Sequence, residues 1–331
     1  MTGEIRVIQY GVGTIGLEVV RLILEKDSLQ LVGVVDVDPS KVGRDVGELL
    51  GIKPAGVKVS NSPKKIFSSV SADVVVHTTV SSLKQAKPQI LEILEAGLNV
   101  VSTTEELSFP IGENKAIAAE LNKAAEKNKV TVIGVGVNPG FVMDALPLFM
   151  TSVAQKVEKI EINRQINASN RRVPFQKKIG STLTVEQFNA KVKEGVIRHV
   201  GLPESLSMIA HHLNFKLDEM KQTIEPVVSD REIRLDWGVI KKGHVRGVKQ
   251  SAVGIASGEE KIILNFMAAI DAKESYDEIK ITGVPQINLR IEGGVHGDRA
   301  TSAIAVNMIP VAVNSTPGLK TMGDILPKLL R

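Results

Sequence analysis

The sequence predicts an α/β chain: a doubly wound parallel sheet, then a second α+β domain with a mainly antiparallel sheet. Three observations carry this. Over the first 150 residues, short β-type runs alternate with amphipathic helical patterns, as parallel strands joined by crossover helices require. The first strand-to-helix turn carries Gly11-x-Gly13-x-x-Gly16, the spacing of a Rossmann-type dinucleotide fold. Beyond about residue 155, long alternating strands joined by short turns replace that pattern, which is the signature of hairpins.

The elements follow in order. Ile5–Gln9 is a β-type run that feeds the glycines. The helix after it buries Ile15, Val19, Leu22 and Ile23 and keeps Glu18, Arg21 and Glu25 wet. Gly11 permits the tight turn, Gly13 lets a pyrophosphate approach the backbone, and Gly16 lets helix and strand pack closely. The phosphates would sit at the helix N-terminus, on Thr14 and Ile15, where unpaired N–H groups and the macrodipole favour anions. Leu31–Val35 is the second strand. It ends in Asp36, where an acidic side chain accepts hydrogen bonds from the adenosine ribose. A tight turn that binds nothing, with Asp36 capping a loop, is the alternative.

A helical stretch near Arg44–Leu50 and a short strand at 57–59 come next. Ser60-Asn-Ser-Pro63 reads as a turn and helix start. Asp73–His77 is a buried-type strand with a hydroxylated loop after it (Thr78–Ser82). Helix 85–96 ends at Gly97, strand 99–103 follows, and helix 113–127 leads to strand 130–133. In the second half, 156–167 reads as a strand, followed by a basic loop. Thr184 and Gln187 have capping-box spacing for helix 184–194. Strands are expected at 243–256, 260–272, 276–283 and 286–292. A helical run 298–313 with Asp298 as N-cap, and a last helix near 321–330, close the chain. The expected division is a dinucleotide-binding domain 1–150, with helices 297–331 packing back on it, and a substrate and dimerisation domain 151–296. The alternating strands leave a sheet face to cover, which favours a homodimer.

Composition narrows the function classes. The 331 residues with 43% hydrophobic content suffice for two cores. Cysteine is absent, which excludes disulfides, thiolate metal sites and cysteine nucleophiles. No apolar stretch is long enough to span a bilayer, and the first strand follows Met-Thr-Gly-Glu at once, so a cytoplasmic enzyme with no membrane partner is expected. The net charge of +4 is interspersed and aromatics are only 3%, which argues against a nucleic-acid partner.

Ligands of open α/β sheets bind at strand carboxyl ends, which directs attention to the loops there. Thr78 and Thr79 can run beside the cofactor's ribose and phosphates, or form a plain polar turn. Glu105 and Glu106 follow the fifth strand, where nicotinamide meets substrate. A carboxylate there can move a proton or hold an ammonium or iminium; ordinary first-turn acids are the alternative. Asn138, before Pro139-Gly140, either contacts nicotinamide or substrate or belongs to a structural turn. Arg171, Arg172, Gln176 and Lys177 form either a carboxylate-binding corner before a helix or a solvated basic loop. His211 and His212 read as ordinary helix residues, and His296, beside Gly293-Gly294, is the better site candidate. No His/Asp/Glu cluster has ligand spacing, so no metal is expected.

Several runs together resemble one family: Val7–Gly16, Val101–Leu107, Gly136–Phe141, Arg171–Gly180 and Gly293–Thr301 are similar to the 2,4-diaminopentanoate dehydrogenases. These relatives of dihydrodipicolinate reductase include the native amine dehydrogenases. The resemblance spans nearly the whole chain. It implies reversible oxidative deamination of a CH–NH2 carbon with NAD or NADP, taking 2,4-diaminopentanoate to 2-amino-4-oxopentanoate and ammonia. The reverse direction is reductive amination of a ketone. The family's catalytic glutamate maps onto Glu105, with Glu106 as the alternative. The basic 171–178 segment would hold the distant carboxylate. The rival readings are a dihydrodipicolinate-reductase-like imine reductase, a sugar or polyol dehydrogenase and a non-catalytic nucleotide-sensing protein. The first lacks its His-His-x-x-Lys and Pro-Ser-Gly-Thr here, and the second its Glu-Lys-Pro.

Overall fold

Val7 and Ile8, both fully buried, sit in β1 (Ile5–Tyr10) at the centre of a parallel sheet in the computed structural model, which describes residues 4–329. Helix α1 (Thr14–Leu24) follows, then β2 (Leu29–Val35), α2 (Val46–Leu50), β3 (Val59–Ser60) and α3 (Pro63–Ser69). Asp45 caps α2 by accepting the Gly47 N–H, and Ser62 caps α3. β4 (Val74–His77), α4 (Leu83–Glu95), β5 (Asn99–Ser102), α5 (Asn114–Lys127) and β6 (Thr131–Gly134) continue the alternation. Between β5 and α5, Glu105–Leu107 forms one 3-10 turn. Residues 74–76 are three consecutive fully buried valines, as a strand covered on both faces demands.

The second unit begins with α6 (Ala145–Met150) and the long β7 (Lys156–Asn167), then α7 (Val173–Lys178), α8 (Val185–Lys193) and α9 (Leu202–Leu213). β8 (Glu219–Val228) precedes a small hairpin of β9 (Ile233–Leu235) and β10 (Gly238–Ile240). β11 (Val245–Ala256), β12 (Glu259–Ala269), β13 (Tyr276–Val284) and β14 (Ile287–Glu292) follow. The chain closes with α10 (Gly297–Asn307), α11 (Ile309–Asn314), β15 (Gly318–Lys320) and α12 (Met322–Ile325).

Apart from the two-stranded β9–β10 hairpin, two sheets organise these strands. The first runs β15-β6-β5-β4-β1-β2-β3, parallel throughout. The second runs β14-β13-β7-β12-β11-β8 and is antiparallel apart from the β7–β12 pair. The contacts divide the chain into one compact unit up to Phe141 together with His296–Ile325, and another of Val142–Val295 with the last residues from Leu326. Ile8, Val35, Val75, Leu83, Ile90, Val100, Leu121 and Val132 belong to one core cluster of the first unit. Each such side chain contributes about 1.5–3 kcal/mol on burial. α10 packs on α1 and α11 on β4–β6.

Several expectations need correction. The 171–178 segment is a helix over Val173–Lys178, not a loop, with Pro174 set in its first turn where a missing N–H costs nothing. The run 298–313 is two helices, because Pro310 has no N–H to continue the ladder. Its N-cap is His296, whose Nδ1 accepts the Arg299 N–H at 3.4 Å, while Asp298 lies in the first turn. The last helix covers only Met322–Ile325, and residue 330 of its expected span lies outside the described residues. β8, the β9–β10 hairpin and β15 went unread, and of α9 only the end around His211 and His212 was expected as helix. In α1, Val20 is buried and Leu22 only half-buried, because α10 packs on this helix. Among the described residues, no helix is long and apolar enough to cross a membrane.

Candidate functional site

Gly11, at φ +90, starts the turn after β1, and its N–H donates to the Val35 carbonyl at 2.7 Å. Its own carbonyl is held from two sides. The Thr78 hydroxyl donates to it at 2.8 Å, and Gln9 Nε2 donates both to it and to Thr78 Oγ1, each at 2.8 Å. Gly16 packs beneath: a Cβ there would stand 1.9 Å from the Gly11 oxygen and 2.7 Å from Thr78 Oγ1. Gly13 differs, since a Cβ there would meet nothing within 4 Å, and no side chain caps α1 above it. Thr14 and Ile15 open that helix. Open space over Gly13 at a helix N-terminus fits a pyrophosphate.

Asp36 stands at the end of β2. Its Oδ2 accepts the Val12 N–H at 2.7 Å and its Oδ1 the Asp38 N–H at 2.9 Å, so the carboxylate is locked beside the glycine turn. Lys41 Nζ lies 3.9 Å from Asp36 and 3.1 Å from Asp38. Hydrogen bonds from the Ser40 hydroxyl and N–H, with help from Lys41, hold the Asp38 carboxyl at about 2.

The loops after β4, β5 and β6 complete this edge of the sheet. Thr79 turns inward and donates to Gln89 Oε1 at 2.7 Å. Glu105 and Glu106 occupy one 3-10 turn yet differ in setting. Glu106 Oε2 accepts the Leu83 N–H at 2.8 Å and Asn114 Nδ2 at 3.2 Å, which ties it to the first turns of α4 and α5. Glu105 is half-buried, with Oε2 fully covered. Asn138 follows β6, joined to Pro139 by a cis peptide bond. Both of its amide atoms are buried and find no hydrogen-bond partner among the described residues. Leaving one such group unsatisfied costs about 1–3 kcal/mol, a cost that a bound carboxamide or carboxylate removes.

In the second unit, Arg171 lies 4.7 Å over the Phe175 ring, and Lys177 Nζ lies 5.3 Å over the Trp237 ring. Gln176 is buried. Its Nε2 donates to the carbonyls of Ala168 and Ser169, both at 3.0 Å, and its Oε1 accepts from Trp237 Nε1 at 2.5 Å. Arg171, Gln176, Arg231, Arg234, Trp237 and Asp271 line a cavity of about 750 Å³. Arg172 is the N-cap of α7. His296 belongs to the first unit as the α10 cap. Among the described residues no group of three His, Cys, Asp or Glu could hold a metal.

Three buried features were not singled out from sequence. Burial pushes His77 down to about 4 against a hydrogen bond with Gln89, and burial pushes His199 down to about 3 with help from Lys178 and Arg164. Arg164 and Asp277 pair at 2.7 Å with almost no exposure, and together they hold both polar groups of the Val295 peptide. His77 ends an otherwise apolar valine run, and that placement is the signal a reader could have used. The Arg164–Asp277 pair needs the β7–β13 register, which local pattern does not encode.

Comparison with known proteins bears on this arrangement. Residues 141–329 match the 2,4-diaminopentanoate dehydrogenase C-terminal domain, and residues 5–135 match the dihydrodipicolinate reductase N-terminus. The 2,4-diaminopentanoate dehydrogenase of Acetoanaerobium sticklandii is 33% identical, covering 97% of this chain and 93% of that protein. An amine dehydrogenase of Streptomyces virginiae is 22% identical over 97% of this chain and 96% of its own. The amine dehydrogenase structure from Mycobacterium smegmatis shares the fold, with a TM-score of 0.82 at 22% identity over 100% of this chain and 98% of that one. The chain therefore belongs to the 2,4-diaminopentanoate dehydrogenase and amine dehydrogenase family of oxidoreductases.

Proposed function

We propose that this oxidoreductase carries out the reversible, NAD(P)-dependent oxidative deamination of 2,4-diaminopentanoate to 2-amino-4-oxopentanoate and ammonia. The open space over Gly13, the locked Asp36 carboxylate and the orphan Asn138 amide fit a nicotinamide dinucleotide. Gly11, Gly13, Thr14, Ile15 and Gly16 would hold its pyrophosphate, Asp36 its adenosine ribose and Asn138 its carboxamide, with Thr78 and Thr79 keeping the turn in shape. When bound, the nicotinamide supplies the two-electron acceptor that turns the amine carbon into an iminium carbon.

Glu105 does the rest of the chemistry. Its negative charge stabilises the iminium, and its carboxylate takes the proton as water's oxygen bonds to that carbon. It returns this proton to the nitrogen, then takes the hydroxyl proton as the C–N bond breaks, so ammonia leaves, the ketone remains, and the last proton passes to ammonia or water. In reverse, the same carboxylate holds ammonia for addition to the ketone. The single observation that favours Glu105 over its neighbour is that Glu106 is already the hydrogen-bonded cap of α4. In the second unit, Arg171, Arg172 and Lys177 are the candidates for the substrate's carboxylate, with Gln176 holding their segment in place.

The imine-reductase reading is weaker because Lys216 falls one residue too far from His211-His212 for His-His-x-x-Lys. A spectrophotometric scan of diamino acids, simple amines, and ketones with ammonia tests the proposal. Reduction of NAD or NADP by 2,4-diaminopentanoate supports it. Turnover of a cyclic imine alone, or of no compound at all, overturns it.

A further inference from the structure

Thr104 leads directly into the Glu105 turn, and both its backbone and its side chain are gripped from below. Its N–H donates to Ser102 Oγ at 3.2 Å, and its Oγ1 lies 3.0 Å from the same oxygen. Ser102 Oγ in turn lies 3.0 Å from His77 Nδ1, the ring that faces it in the β4–β5 register. The ring's other nitrogen is 2.8 Å from Gln89 Oε1 on α4 and 2.9 Å from Thr79 Oγ1. His77, Ser102 and Thr104 are all but completely buried. One hydrogen-bonded chain thus runs from α4, through the ends of β4 and β5, to the residue before Glu105.

A histidine is an expensive way to end a run of buried valines, since an apolar residue would need no partners there. Burial holds the ring near a pKa of 4, so it is neutral at working pH and its part is geometric. The turn above is short: the Leu107 N–H donates to the Thr104 carbonyl and the Ser108 N–H to that of Glu105, at 3.0 and 3.1 Å. A shift of Thr104 is therefore passed straight to Glu105. We propose that His77 is a positioning residue for the reaction, acting through Ser102 and Thr104 to aim the Glu105 carboxylate. The proposal rests on Glu105 being the acid–base group.

The test is a double-mutant cycle on kcat for deamination, with cofactor Kd from fluorescence and folding from thermal melts. His77→Leu removes both ring contacts, while His77→Asn keeps a polar atom toward Ser102. Misplacing a catalytic group by an ångström can cost about 10²-fold, so His77→Leu should lower kcat between about 10-fold and 100-fold, with cofactor Kd unchanged within about twofold. His77→Asn should recover part of that loss. Ser102→Ala, a smaller change, should lower kcat in the same direction and decides the matter if His77→Leu does not fold. In a Glu105→Gln background, each substitution should cost little further. Losses of equal size in both backgrounds, or none in folded His77→Leu and Ser102→Ala, overturn the positioning role and leave the Glu105 reading intact. Full activity in Glu105→Gln alone overturns that reading, and the positioning role falls with it.

Discussion

Asp36 is a structural carboxylate, and in the proposed function it is also the selective one. Two backbone N–H groups hold it, and Lys41 stands close enough to soften its charge. A ribose diol should find acceptors there and a 2′-phosphate should be repelled, with Lys41 and Arg44 offsetting part of the repulsion. We therefore expect both cofactors to work and NAD to work better. Asp36→Ala should lower kcat/KM for NAD by roughly 10- to 100-fold, the worth of one or two charge-assisted hydrogen bonds. The NAD/NADP ratio should move toward NADP; an unchanged ratio would refute the assignment.

At the scale of elements, the glycine turn and the helix after it act as one object. Gly16→Ala drives a methyl group into the Gly11 carbonyl and the Thr78 hydroxyl, with backbone rather than a flexible side chain in the way. Overpacking of this kind costs about 1–3 kcal/mol. The melting temperature should fall and cofactor Kd should rise together, whereas Gly13→Ala should leave stability nearly unchanged. Equal stability of Gly16→Ala and the parent would contradict this packing. This element was legible in the sequence because glycine spacing, strand and helix are all local signals. Elements set by distant partners were not. The Ile233–Leu235 and Gly238–Ile240 hairpin is too short to show periodicity, and Gly318–Lys320 becomes a strand only by pairing with Thr131–Ile133. The glutamate pair was visible, but the hydrogen bonds that set Glu106 apart were not, because Leu83 and Asn114 come from elsewhere in the chain.

For the whole molecule, acid stability and assembly are the measurable consequences. His77 has an ordinary value of 6.5 and a folded value near 4, set by burial. The unfolded chain therefore binds the proton first as pH falls. The stabilising effect is complete above 6.5 and is lost progressively down to about 4, amounting to about 3 kcal/mol at most. Thermal melts should show this loss, and His77→Asn should flatten the slope between pH 6.5 and 4.5; an identical slope would be contrary evidence. Assembly follows from the second sheet. α8 and α9 pack on this sheet, burying Ile262, Leu264 and Phe266, while Val253, Ile263 and Met267 on the opposite face are only half-buried. Covering that face favours a homodimer. Sedimentation at micromolar concentration should show a dimer, and a monomer would exclude this arrangement.

In the proposed reaction Glu105 moves the proton while Glu106 holds the turn. Steady-state deamination kinetics of Glu105→Gln and Glu106→Gln, measured side by side with cofactor binding, test it most directly. General acid–base groups contribute about 10²–10⁴-fold. Glu105→Gln should lose kcat within that range with cofactor Kd nearly intact, and Glu106→Gln, which keeps an oxygen for the Leu83 N–H, should lose far less. Near-normal kcat in Glu105→Gln, or a collapse confined to Glu106→Gln, would place the proton transfer elsewhere.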